Sequence, residues 1–111
     1  MLTVEKLRQM GADVESGLTR CMNNEAFYLR LVEKCVSDVN FEKLKEAVEA
    51  GDLKSAFEAA HGLKGVLGNL SLTQIYDPVV EITELLRAET KMDYTQLVQT
   101  ILEKRDALKT L

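Results

Sequence analysis

Apolar residues return at intervals of three and four along nearly all of this 111-residue chain, and no segment alternates apolar with polar over a strand's length. That pattern restricts the fold to packed helices. One proline and 5% aromatic residues leave little of what favours a sheet. Leu2 to Met10 reads as a short amphipathic helix stopped by Gly11. Val14, Leu18, Cys21 and Met22 mark a second short one. Asn23-Asn24 offers an amino-terminal cap to a helix that turns Phe27, Tyr28, Leu31, Val32, Cys35 and Val36 inward. Asn40 is placed to cap the next, which buries Phe41, Leu44 and Val48 and stops at Gly51, a favoured left-handed end residue. Asp52 opens a long helix that runs to Asn69 or Leu70.

Ser71-Leu72-Thr73-Gln74 has the form of a capping box, the serine bonding forward and the glutamine back. The helix it would start buries Leu72, Ile75, Val79, Ile82 and Leu86. Asp93-Tyr94-Thr95-Gln96 repeats the cap signal before Tyr94, Leu97, Val98, Ile101, Leu102, Arg105 and Leu108. Pro78 interrupts this reading, because a proline inside a helix removes a hydrogen bond and crowds the preceding turn at a cost of about 3 kcal/mol. The apolar register runs on across it, so a kink or distorted turn is expected. Four long stripes joined by short connections predict an all-α fold, an antiparallel four-helix bundle with the short amino-terminal helices packed across one end. No repeat, linker or low-complexity tract divides the chain, which predicts a single domain over residues 1–111. The bundle has enough apolar positions to close on itself, so the expected state is a monomer.

The only histidine, His61, lies in the helix opened by Asp52. With Ala60 at 0° on a helical wheel, His61 falls at about 100°, Lys64 at about 40°, Gly65 at about 140° and Gly68 at about 80°. Leu63, Leu67 and Leu70 gather on the opposite side, with Ala60, as the buried stripe. The imidazole therefore faces solvent, with an ammonium one turn on and no side chain at two glycines. Each glycine costs a helix about 1 kcal/mol relative to alanine, which implies that something large must approach this face. Taken singly, His61 is an ordinary surface histidine, Lys64 a solvated lysine and Gly68 a glycine for close helix packing. In register they form a constellation.

The run His61-x-x-Lys64-Gly65, with Gly68 at the seventh position after the histidine and the small pair Ala59-Ala60 before it, resembles the active helix of histidine-containing phosphotransfer (HPt) domains of bacterial two-component phosphorelays. The resemblance extends to the order of helices over nearly the whole chain. One departure is Ser71, which stands where many members carry a second loop glycine. The resemblance implies a phosphoryl carrier without independent kinase activity. His61 would take a phosphoryl group from a receiver-domain aspartate and hand it to a second receiver, and Lys64 would offset the added charge. Gly65 and Gly68 would keep the face flat for the receiver's loops. Implied partners are response-regulator receiver domains and a histidine kinase or hybrid kinase. The receiver would supply magnesium and most catalytic groups, so no cofactor or metal site is expected here. The residues agree, with no phosphate-binding glycine loop and no acidic cluster around His61. Phe57, at about 60° on the wheel, is a candidate apolar docking rim or an edge of the core. Glu58 and Lys54 flank the same face as candidate determinants of partner choice.

Two other classes compete. A non-catalytic helical adaptor would bind signalling partners through the same face, with the histidine incidental. A haem protein with His61 as axial ligand needs an apolar pocket that the wheel does not provide. A histidine kinase's own phosphoacceptor domain normally has an acidic residue directly after its histidine, and Gly62 stands there. A formal charge of −4 with no basic stripe disfavours nucleic acid. No run approaches 18 apolar residues and the start lacks a signal peptide's order, so no membrane segment and a cytoplasmic location are expected. Cys21 and Cys35 are expected to be reduced and partly buried. Met1 and the compact length permit a free-standing shuttle.

Overall fold

In the computed structural model, which describes residues 1–111, the apolar stripes become α1 (Val4–Gln9), α2 (Val14–Arg20), α3 (Glu25–Val36), α4 (Asn40–Glu49), α5 (Leu53–Asn69), α6 (Thr73–Arg87) and α7 (Thr95–Lys109). Helices α4 to α7 form the antiparallel bundle, and α5 packs against α4 on one side and α6 on the other. The ten residues of α4 are too few to flank the seventeen of α5. Helix α4 covers the first half of α5, around Ser55 to Gly62. Leu31, Lys34 and Cys35 of α3 lie beside Val66, Asn69 and Leu70 at its far end. The core comprises one cluster in which Phe41, Leu44, Leu63, Leu67, Ile75, Ile82 and Ile101 are fully buried. Ala56, Ala59 and Ala60 are buried on α5, small side chains where neighbouring helices close in. Burial of such stripes, at about 25 cal/mol per Å², holds together helices that would be marginal alone.

The amino-terminal helices pack against the turn between α5 and α6. The amide of Asp13 donates to the Ser71 carbonyl at 3.0 Å, and the buried Tyr28 hydroxyl donates to the Leu70 carbonyl at 2.8 Å. Burial pushes the Tyr28 phenol up to about 12. The molecule is 41 Å along its longest axis, beyond the roughly 26 Å of α5.

Several helix ends differ from expectation. Ser71 has a φ of 54° and completes the carboxy-terminal turn of α5, where its amide donates to the Gly68 carbonyl at 3.1 Å and the Leu72 amide to Leu67 at 3.1 Å. A residue used this way cannot also cap α6. The cap position is Leu72, without a side-chain bond, and the Gln74 side chain finds no protein partner. The same left-handed ending is made by Gly11 and Gly51, as expected, and by Glu89. The acceptor at the start of α4 is the Asp38 carboxylate, which takes the Asn40 amide at 2.8 Å, so Asn40 is the first helical residue instead of the cap. Asn24 caps α3 and Asp52 caps α5, accepting from Phe27 and Ser55. Asp93 accepts from the Thr95 amide at 2.9 Å, but Tyr94 holds the cap position and no bond returns from Gln96. Met22 is 83% exposed, because α2 ends at Arg20 and Met22 and Asn23 turn the chain with positive φ. Phe27 is 37% exposed in the first turn of α3 instead of inward. Pro78 lies inside a continuous α6, which does not split there.

Candidate functional site

Helix α5 turns Leu63 and Leu67 into the core and leaves His61 exposed on its outer face. The His61 ring stacks on Phe57, one turn earlier, with centroids 5.7 Å apart and planes 17° from parallel. Phe57 is half-buried, and the Arg87 guanidinium of α6 lies 5.0 Å from its ring centroid, a cation–π distance. Phe57 is therefore both an edge of the core and the direct neighbour of the imidazole.

Lys64 is half-buried on the turn after His61, with its Nζ 3.8 Å from Oε1 of Glu84 on α6. The other oxygen, Oε2, accepts from Nε of Arg87 at 3.2 Å. Phe57, Arg87, Glu84 and Lys64 thus make a chain of contacts across α5 and α6 that begins and ends within one turn of His61.

Toward the carboxy end of α5 the surface opens into a polar groove of about 680 Å³. Its floor is His61, Lys64, Gly65 and Gly68, with Tyr76 and Asp77 of α6 on one side and Asp13, Ser16 and Arg20 opposite. The two glycines have different surroundings. A Cβ built on Gly65 meets nothing within 4 Å, so the space above it is open. A Cβ on Gly68 would lie 3.0 Å from Cε1 of Tyr76, so here the missing side chain makes room for an internal neighbour. Gly68 serves the α5–α6 packing as well as lining the groove.

The structure gathers His61, Lys64, Gly65, Gly68 and Phe57 in one place. It separates Glu58, which is exposed along the α4 side of α5 beside Asn40 and Lys43. Lys54 is exposed in the first turn of α5, two turns before His61. Arg20, Glu84 and Arg87 escaped sequence reasoning. Nη1 of Arg20 donates to the Gly68 carbonyl and, at 3.1 Å, to the Ser71 hydroxyl, binding α2 to the end of α5. No periodicity relates Arg20 to a residue 48 positions later, so only the fold reveals it. Glu84 and Arg87 carried the i, i+3 spacing of a surface pair, but nothing in that spacing pointed to α5.

No three His, Cys, Asp or Glu side chains are grouped to hold a metal ion. No helix is long and apolar enough to cross a membrane. Cys21 and Cys35 are free and buried, and burial pushes the Cys35 thiol up to about 12.

Residues 31–111, from within α3 to the end of the chain, match the family model for the Hpt domain. The chain belongs to the Hpt domain family. No curated protein and no solved structure matches it. Membership brings a phosphotransfer role in phosphorelays, that of a phosphoryl carrier and not a kinase, and partners of the receiver and kinase classes. In this Hpt domain α1 and α2 lie outside the matched stretch, yet α2 and the residue before it supply Asp13, Ser16 and Arg20 to the groove.

Proposed function

We propose that His61 is the phosphoacceptor of this Hpt domain. It takes a phosphoryl group from a receiver-domain aspartate and passes it to a second receiver. An imidazole nitrogen attacks phosphorus while the bond to the aspartyl oxygen breaks and the carboxylate leaves. The same steps in reverse deliver the group onward. The lone pair on a neutral imidazole nitrogen is the nucleophile that such a transfer requires. Such transfers depend mainly on alignment and charge neutralisation. The observation that carries the reading is the exposed imidazole at the head of an open polar groove, one turn from Lys64 and from a glycine with clear space above it.

In this reading Lys64 neutralises charge, and the receiver brings magnesium and the remaining catalytic groups, so the domain itself needs no cofactor. Gly65, Gly68 and the Phe57 edge receive the partner's loops, with Glu58 and Lys54 at the margins of the footprint. The domain acts as a cytoplasmic monomer. The test is incubation with magnesium and a labelled phosphorylated receiver, beside His61→Gln. Label on the wild type alone, lost in acid and kept in base, is expected. A folded protein that binds receivers but takes no label would instead make it an adaptor.

A further inference from the structure

The ion pair between Lys64 and Glu84 links two helices at the one place where the added phosphoryl charge has to be met. In the unphosphorylated protein, Lys64 Nζ is 3.8 Å from Glu84 Oε1, which is ion-pairing distance but too long for a hydrogen bond. Glu84 is not dependent on that lysine, since its second oxygen holds Arg87 Nε at 3.2 Å. The carboxylate stays paired if Lys64 leaves. Lys64, by contrast, has no carboxylate other than Glu84 within 4.0 Å. A pair with one loosely held member and one independently anchored member is suited to exchanging partners.

We infer that Glu84 is a positioning residue for the phosphoacceptor: it holds Lys64 over α6 until His61 is phosphorylated, when the ammonium exchanges the carboxylate for the phosphoryl oxygens. Glu84 touches neither the imidazole nor the transferred group, and it acts through Lys64. The inference rests on His61 as the phosphorylated residue. The charged groups facing this position are Lys64 on α5, Glu84, Arg87 and Asp77 on α6, and Arg20 and Asp13 from the amino-terminal segment. Among them Glu84 alone is paired to Lys64.

The experiment needs no receiver, so it separates this inference from the relay itself. Phosphoramidate phosphorylates an exposed imidazole chemically: the ring nitrogen attacks phosphorus, the phosphorus–nitrogen bond of the reagent breaks, and ammonia departs. His61 is the only histidine, so every phosphohistidine signal in the phosphorus NMR spectrum reports on this residue. Its second phosphoryl ionisation is measured in the wild type, Glu84→Gln, Lys64→Met and the double variant, with circular dichroism to confirm the fold. Releasing Lys64 should favour the dianion in Glu84→Gln, raising that ionisation constant about two- to fivefold, the range expected of an exposed ion pair. In the Lys64→Met background the same change should fall to a small direct effect of removing one negative charge. Equal effects in both backgrounds, or no effect in either, would overturn the inference. Transfer from a receiver, measured separately, tests the relay and has no bearing on the exchange of partners at Lys64.

Discussion

Gly65→Ala separates what this helix needs from what its partner needs. Gly65 sits in the interior of α5, exposed, and a Cβ there meets no atom within 4 Å. Alanine is favoured over glycine at such a position by about 1 kcal/mol, since the unfolded chain loses freedom and the helix gains nothing to clash with. For a chain of this size that corresponds to a rise in Tm of about 4 °C. Urea denaturation followed by circular dichroism, with an unchanged slope, would measure it. The same methyl group stands where a receiver's loops must settle around His61. If docking brings them to van der Waals contact with α5, the added methyl costs about 1–3 kcal/mol there, and transfer slows by about 5- to 150-fold. The variant should therefore be more stable and less active. No gain in stability would refute the open-helix reading of Gly65. A gain with unchanged transfer would show that the receiver keeps clear of this position, removing Gly65 from the docking face.

Two further changes test the frame that holds the site. Tyr28→Phe leaves the buried Leu70 carbonyl without its donor, which should cost about 1–2 kcal/mol in urea unfolding while leaving label transfer to His61 intact. The Asp52 carboxyl at the start of α5 is held below the usual carboxylate range, chiefly by the hydrogen bond from the Ser55 amide and then by the Ser55 hydroxyl. A depressed folded value contributes stability above the unfolded pKa, and that contribution is lost as pH falls through the folded one. Asp52→Ala should thus be less stable than the wild type near neutral pH, with the difference closing as pH falls below the usual carboxylate range in a series of melts.

The helices themselves were legible because burial imposes a period. Leu63 and Leu67 on α5, Ile75, Val79 and Ile82 on α6, and Val98 and Ile101 on α7 all lie where spacing placed them. Helix ends were less legible, since one polar residue can satisfy several local geometries and the winner depends on distant contacts. Ser71 reads as a cap for α6 but is used in the last turn of α5. Its choice is supported from the amino-terminal segment, where Asp13 donates to its carbonyl and Arg20 to its hydroxyl. That support also accounts for a serine in a left-handed position that glycine would take without strain. At the site, the relation of His61, Lys64, Gly65 and Gly68 could be read from the wheel, because one helix fixes it, whereas Glu58 on the same helix lies instead on the α4 side. What came from other helices could not, and this includes every charged neighbour that completes the constellation.

The two glycines illustrate why a motif and a mechanism differ. Gly65 and Gly68 look equivalent on the wheel, both small and both beside His61. Tyr76 distinguishes them, since its ring edge occupies the space a Gly68 side chain would need, whereas nothing occupies the space at Gly65. A requirement for small residues can therefore come from inside the protein at one position and from outside at the next. Gly68 also carries the carbonyl that accepts from Arg20 and from the Ser71 amide, so it joins α2, α5 and the turn into α6. Changes at Gly68 confound packing with docking. Gly65 is the position at which the approach of a partner can be tested without disturbing the fold that presents His61.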